Sequence, residues 1–125
     1  MKTPRMRRVN ETLREVIAQS VTRLKDPRVG FVTITAVDTA PDLRSAKVYY
    51  SVLGSAEEQQ ATAAALHSAA SHIRGEVGRQ VRLKYLPELR FERDEAMERG
   101  MRVQELLRQI ERERGEQPGS DSQGS

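Results

Sequence analysis

A chain of 125 residues has room for one domain and little more. Hydrophobic residues make up 37% and charged residues 31%, which predicts a small core under a heavily charged surface, and the lack of cysteine excludes disulfides and thiolate metal sites. The net charge is +3, there is no apolar run after the basic start Met1-Lys-Thr-Pro-Arg-Met-Arg-Arg8 to make a secretory signal, and no stretch approaches the roughly 18 apolar residues of a membrane span.

Met6, Val9, Leu13, Val16, Ile17, Val21 and Leu24 recur at spacings of three and four, so residues 5–24 are predicted to form an amphipathic helix. Asp26-Pro27 stops it, because a residue before proline avoids the α region. Arg5, Arg8 and Arg23 border one side of the apolar stripe, and Arg7, Arg14 and Lys25 border the other. This helix therefore cannot offer all its charge to one ligand.

Gly30 opens a predicted strand over 31–37, with Val32, Ile34 and Ala36 inward against Thr33 and Thr35. A turn over 38–42 leads to a second strand, 45–53, with Ala46, Val48, Tyr50 and Val52 inward. The short connection makes the two an antiparallel hairpin. Residues 57–81 are helical in propensity, and Leu66, Ala69 or Ala70, Ile73, Val77 and Val81 continue the inward stripe. Ala69, Ala70 and Ser71 interrupt this run with small residues, and a serine there can bond back to the preceding turn and bend the helix. Beyond Pro87 comes a third strand, 89–93, with Leu89 and Phe91 inward, and then a helix over 95–114 with Val103, Leu106, Leu107 and Ile110 on its stripe. Residues 115–125 are Gly/Ser-rich, lack hydrophobes and are expected to be disordered. The order α-β-β-α-(kink)-α-β-α, with helices on one face of a three-stranded sheet, gives an α+β two-layer domain over residues 1–114.

Nothing in this pattern supports catalysis. His67 and His72 lie too far around a helix to share a metal, and no acidic or thiol partner has ligand spacing. Phosphate-binding, nucleophile-elbow and dinucleotide motifs are missing. Glu57, Glu58, Glu11 and Glu15 suit helix-start and i,i+4 charges. No enzyme activity, cofactor, metal or small-molecule substrate is expected.

Charge points elsewhere. Residues 1–28 hold a local +5 and residues 72–93 a local +3, against −2 over 29–71 and −3 over 94–125. Two basic segments around a neutral middle fit a polyanion-facing surface if the fold unites them; Arg-rich helices that are merely solvated are the plain alternative. The five aromatics, Phe31, Tyr49, Tyr50, Tyr85 and Phe91, two of them (Tyr50 and Phe91) inward, are too few for a base-stacking platform of the RRM or single-strand type, which leaves backbone and shape recognition by Arg and Lys. Gly75, Arg79 and Arg82 share one helical arc with Arg74 beside it, and Gly75 would let a nucleic-acid backbone approach closely. Gly75-Glu76-Val77-Gly78 matches on paper the GxxG loop of KH domains. Glu76 would repel phosphate at its centre, however, and Val77 keeps the register of Ile73 and Val81, so it is read as helix interior.

The chain resembles the ribosome-binding factor A family over nearly all of residues 3–110. The resemblance is carried by Arg7-Arg8-Val9, by Asp26-Pro-Arg followed by Val32-Thr-Ile-Thr35, and by Pro41-Asp-Leu-Arg-Ser-Ala-Lys-Val-Tyr49. It continues in Ile73-Arg74, in Val81-Arg-Leu-Lys-Tyr-Leu-Pro-Glu-Leu-Arg-Phe91 and in Gly100-Met-Arg-Val-Gln-Glu-Leu-Leu107. It implies a type II KH-like fold in which an Ala-x-Gly interhelical kink replaces the GxxG loop; the matching positions here are Ala69-Ala70-Ser71, with Ser in place of Gly. It also implies a monomeric, cytoplasmic assembly factor that binds free 30S subunits and 16S rRNA. Such a factor would assist late maturation and rRNA processing and support growth in the cold. The expected RNA contacts are Arg5, Arg7, Arg8, Arg74, Arg79, Arg82 and Lys84, with Arg90 and Lys47 on the open sheet face as weaker candidates. The rival reading is a small α+β protein-interaction module using its open sheet face or last helix.

Overall fold

The computed structural model describes residues 3–116 and divides into two compact units, one ending at Asp94 and one beginning at Glu95. In the first, Thr3 caps helix α1 (Pro4–Thr22) by accepting a hydrogen bond from the Met6 amide at 3.1 Å, and Pro4 sits in the first turn where its missing N–H costs nothing. Strands β1 (Phe31–Thr39) and β2 (Ser45–Leu53) form the expected antiparallel hairpin. Helix α2 (Ala56–Gln80) then crosses to β3 (Glu88–Arg93), which lies parallel to β2. A parallel neighbour requires such a crossover, and α2 supplies it. Ser55 and Glu58 close a reciprocal capping box at its start. The sheet order is β1-β2-β3.

The core is one layer deep between this sheet and the two helices. Leu13, Ile17 and Val21 come from α1, Leu66, Ile73 and Val77 from α2, and Ile34, Val37, Val48, Tyr50, Val52 and Leu89 from the sheet. Fully burying each aliphatic side chain contributes about 1.5–3 kcal/mol. Polar groups at the edges are tied in: the Asn10 Oδ1 accepts the Thr39 amide at 3.0 Å, and Thr62 joins α2 to Arg28 and Gly30.

Three expectations need revision. The pairing register shifts between Ile34 and Ala36, so a bulge at Thr35 reverses the alternation of β1. Val37 and Thr39 are buried while Ala36, expected inward, is exposed. A single extra residue moves every later side chain to the other face. Second, Ala69, Ala70 and Ser71 do not divide the long helix: α2 is one element, and the order is α-β-β-α-β-α. Alanine and serine sustain helical hydrogen bonding, Ser71 keeps a negative φ, and Leu66, Ile73 and Val77 bury one continuous stripe. Third, helix α3 (Glu95–Glu116) takes in Gly115 and Glu116 from the expected tail, while residues 117–125 lie outside the described residues. The second unit is this helix, laced by Arg99–Glu95, Arg108–Glu105 and Arg112–Glu105 pairs.

Candidate nucleic-acid interface

The site is set by how the chain turns back after α2. Val81 leaves the helix in an extended conformation, with its amide still bonded to the Val77 carbonyl. A Cβ on Gly78 would stand 3.1 Å from Leu86 Cδ2, so the glycine lets the 81–87 segment fold over the helix end. Gly78 thus has a packing role; beside Gly75 only Arg79 comes near. Arg74 fastens this return: its Nε donates to the Pro87 carbonyl at 3.0 Å and its Nη2 to the Leu86 carbonyl at 2.6 Å.

Held in this way, the segment lies alongside the first turns of α1. Arg5, Arg8, Val9 and Thr12 line one shallow groove with Val81, Arg82 and Leu83. A second depression shares Arg5 and Arg82 and adds Pro41, Leu43 and Lys84. The basic segments at residues 1–28 and 72–93 therefore meet along one edge. Among the described residues no carboxylate pairs with Arg5, Arg8 or Arg82, and all three are exposed.

The other expected residues stand apart. Arg79 is paired with Glu76 at 2.5 Å. That hydrogen bond chiefly, and then the charges of Arg79, His72 and Arg23, hold the Glu76 carboxyl below the usual glutamate range. Arg74 is exposed, but two of its donors belong to the backbone carbonyls just described. Arg7 is exposed and lines neither basic depression. Lys47 and Arg90 are register partners on the open face, with Asp38 opposite Lys47 and Glu88 and Glu92 on either side of Arg90 along β3. That face carries mixed charge. Ala70 and Ser71 line a separate groove between α2 and β3 with His67, Arg74, Arg90 and Phe91, while Ala69 packs against the core.

One residue escaped the sequence reading. Arg44, at the end of the β1–β2 turn, lies with its guanidinium carbon 4.7 Å from the Tyr85 ring centroid. It shares a mildly acidic stretch with Lys47 as the only other basic residue, so it gives no charge signal by itself. Among the described residues no group of three or more His, Cys, Asp or Glu can hold a metal, and no helix is long and apolar enough to cross a membrane.

Comparison with known proteins agrees with this architecture. A family model described as ribosome-binding factor A matches residues 5–107. A ribosome-binding factor A of Geobacter sulfurreducens is 43% identical over 112 residues, covering 89% of this chain and 95% of its own. The solution structure of a Thermotoga maritima protein described as a putative ribosome-binding factor A aligns at a TM-score of 0.66 with 31% identity, over 74% of this chain and 89% of that one. A homology model of the Thermus thermophilus ribosome-binding factor A, fitted into the cryo-EM map of a 30S complex with that factor, aligns at a TM-score of 0.56 with 28% identity, over 66% of this chain and 88% of that one. With a family model spanning most of its length and a relative of this identity, the chain belongs to the ribosome-binding factor A family.

Proposed function

We propose that this protein binds the free small ribosomal subunit through 16S rRNA and assists late maturation and rRNA processing without catalysing a reaction. The observation that carries the reading is the edge where Arg5, Arg8 and Arg82 converge with no carboxylate partner among the described residues. An unpaired exposed cation meets phosphate without first breaking an internal ion pair, so its whole charge is available for binding. The Thermus thermophilus relative fitted into a 30S complex supports the same partner. Arg7, Arg74, Arg79, Lys47 and Arg90 are secondary contacts in this reading, because they are peripheral, internally engaged or set among acids.

The physical mechanism is differential binding. A protein that binds an immature rRNA arrangement better than the mature one stabilises the former and is released as the latter forms. A monomer acting in the cytoplasm, with its greatest effect in the cold where misfolded RNA escapes slowly, fits this scheme. Sucrose-gradient sedimentation of lysate tests it: the protein should travel with 30S particles, leave them on added salt, and be missing from 70S particles. Equal association with 70S particles, or salt-insensitive capture by a free protein, would replace this reading with that of a protein-interaction module.

A further inference from the structure

We propose that Tyr85, with Arg44 against its ring, receives one unpaired RNA base, so that the basic edge recognises single-stranded RNA at this point. The proposal rests on the reading of that edge as RNA-facing and adds the form of RNA it takes. Tyr85 is 38% exposed within the segment that carries Arg82 and Lys84. The Arg44 guanidinium carbon lies 4.7 Å from the ring centroid and the Lys84 Nζ lies 5.5 Å from it. Among the described residues, neither cation has a carboxylate partner. Lys84 also lines the depression that contains Arg5 and Arg82, so the ring stands beside the phosphate-facing groove.

The arrangement is held from both sides of Arg44. Its amide donates to the Asp42 Oδ1 at 3.0 Å, and its carbonyl accepts from the Glu88 amide at 2.9 Å. Leu43 just before it has φ 62°, a left-handed conformation that a bulky residue rarely adopts. The Leu43 amide bonds to the Ala40 carbonyl at 2.8 Å, and the side chain is half-buried, so surrounding structure maintains the strain. The result is a cationic hairpin tip pinned against an exposed ring. A duplex backbone would use the cations and leave the ring idle. An unpaired nucleotide uses both, its base stacking on the phenol or on the guanidinium plane and its phosphate meeting Lys84 or Arg82.

The other aromatics are placed differently. Tyr50 is buried, Tyr49 and Phe91 are half-buried, and Phe31, though 82% exposed, stands beside Val21, Leu24, Val29 and Leu53 with no cation over its ring among the described residues. Among the described residues Tyr85 is thus the exposed ring with two cations against it, which fits one stacked base.

The test is anisotropy titration of the full chain with labelled oligouridylate and with a blunt RNA duplex of matched length. Tyr85→Ala should weaken single-strand binding about tenfold, leave duplex binding unchanged and leave the salt dependence unchanged, since no charge is lost. Tyr85→Phe should bind like the parent. Arg44→Lys keeps the charge but not the plane, and should also weaken only the single-strand complex. Unchanged single-strand affinity in Tyr85→Ala, equal loss on both RNAs, or a parent that prefers duplex overturns the proposal. Should Tyr85→Ala lose its fold, the same outcomes in Arg44→Lys overturn it instead. A parent with no salt-dependent affinity for either RNA removes the RNA-facing reading itself. Steep salt dependence with indifference to Tyr85 and Arg44 removes only the base site.

Discussion

Arg74 and Arg79 on α2 and Arg82 just beyond its end are close neighbours in sequence, yet the fold gives them different work. Arg74 donates to two backbone carbonyls and Arg79 to the Glu76 carboxylate, while Arg82 joins Arg5 and Arg8 with no carboxylate partner among the described residues. Counting basic residues measures potential charge. Counting those left without an internal acceptor measures what a polyanion can use.

The comparison is tested most severely by reversing the free set. Arg8→Glu with Arg82→Glu should weaken 30S binding at least about tenfold and flatten its salt dependence, each lost phosphate contact taking about 0.7–0.9 from the slope. Thermal stability should stay within about 0.5 kcal/mol, because both residues are exposed and have no carboxylate partner among the described residues. Unchanged 30S affinity would place the interface elsewhere. Arg74→Ala should do the reverse. Loss of its two carbonyl bonds should lower stability by about 1–2 kcal/mol in urea unfolding, an effect that Arg82→Ala should not reproduce.

The smallest effect belongs to Glu76. Glu76→Gln releases Arg79 and should raise RNA affinity about threefold while steepening the salt slope by about 0.7. The carboxyl is held below its ordinary value in the folded protein, so its stabilising contribution is complete above the unfolded value. It is lost as pH falls through the lowered folded value, and the Gln variant should lack that part of the acid sensitivity in urea unfolding. Equal affinity of Glu76→Gln and parent would mean that Arg79 is not near RNA at all.

Most of the architecture was legible in the sequence because burial acts locally through periodicity. The stripe from Met6 to Leu24 marked α1, and the alternation from Ala46 to Val52 marked β2 and its inward face. Gly75-Glu-Val-Gly78 was legible as helix interior for the same reason, since Ile73 and Val77 keep one stripe and both are fully buried. The bulge at Thr35 was not legible. Val32, Ile34 and Ala36 alternate without fault, and only pairing with β2 adds the extra residue. That Ala69–Ser71 would not divide α2 into two elements was not legible either, because the continuous core contact of Leu66, Ile73 and Val77 lies beyond local propensity.

The sequence by itself determined the element types, the inward faces of α1, α2 and β2, and the existence of two basic segments, all properties of a residue and its near neighbours. Tertiary structure decided which charges meet and which remain free. Arg5 and Arg82 are brought into one depression by the Gly78–Leu86 approach and the Arg74 clamp, and Arg44 reaches Tyr85 through a strained turn. Charge availability depends on distances between remote residues, and only folding sets those distances.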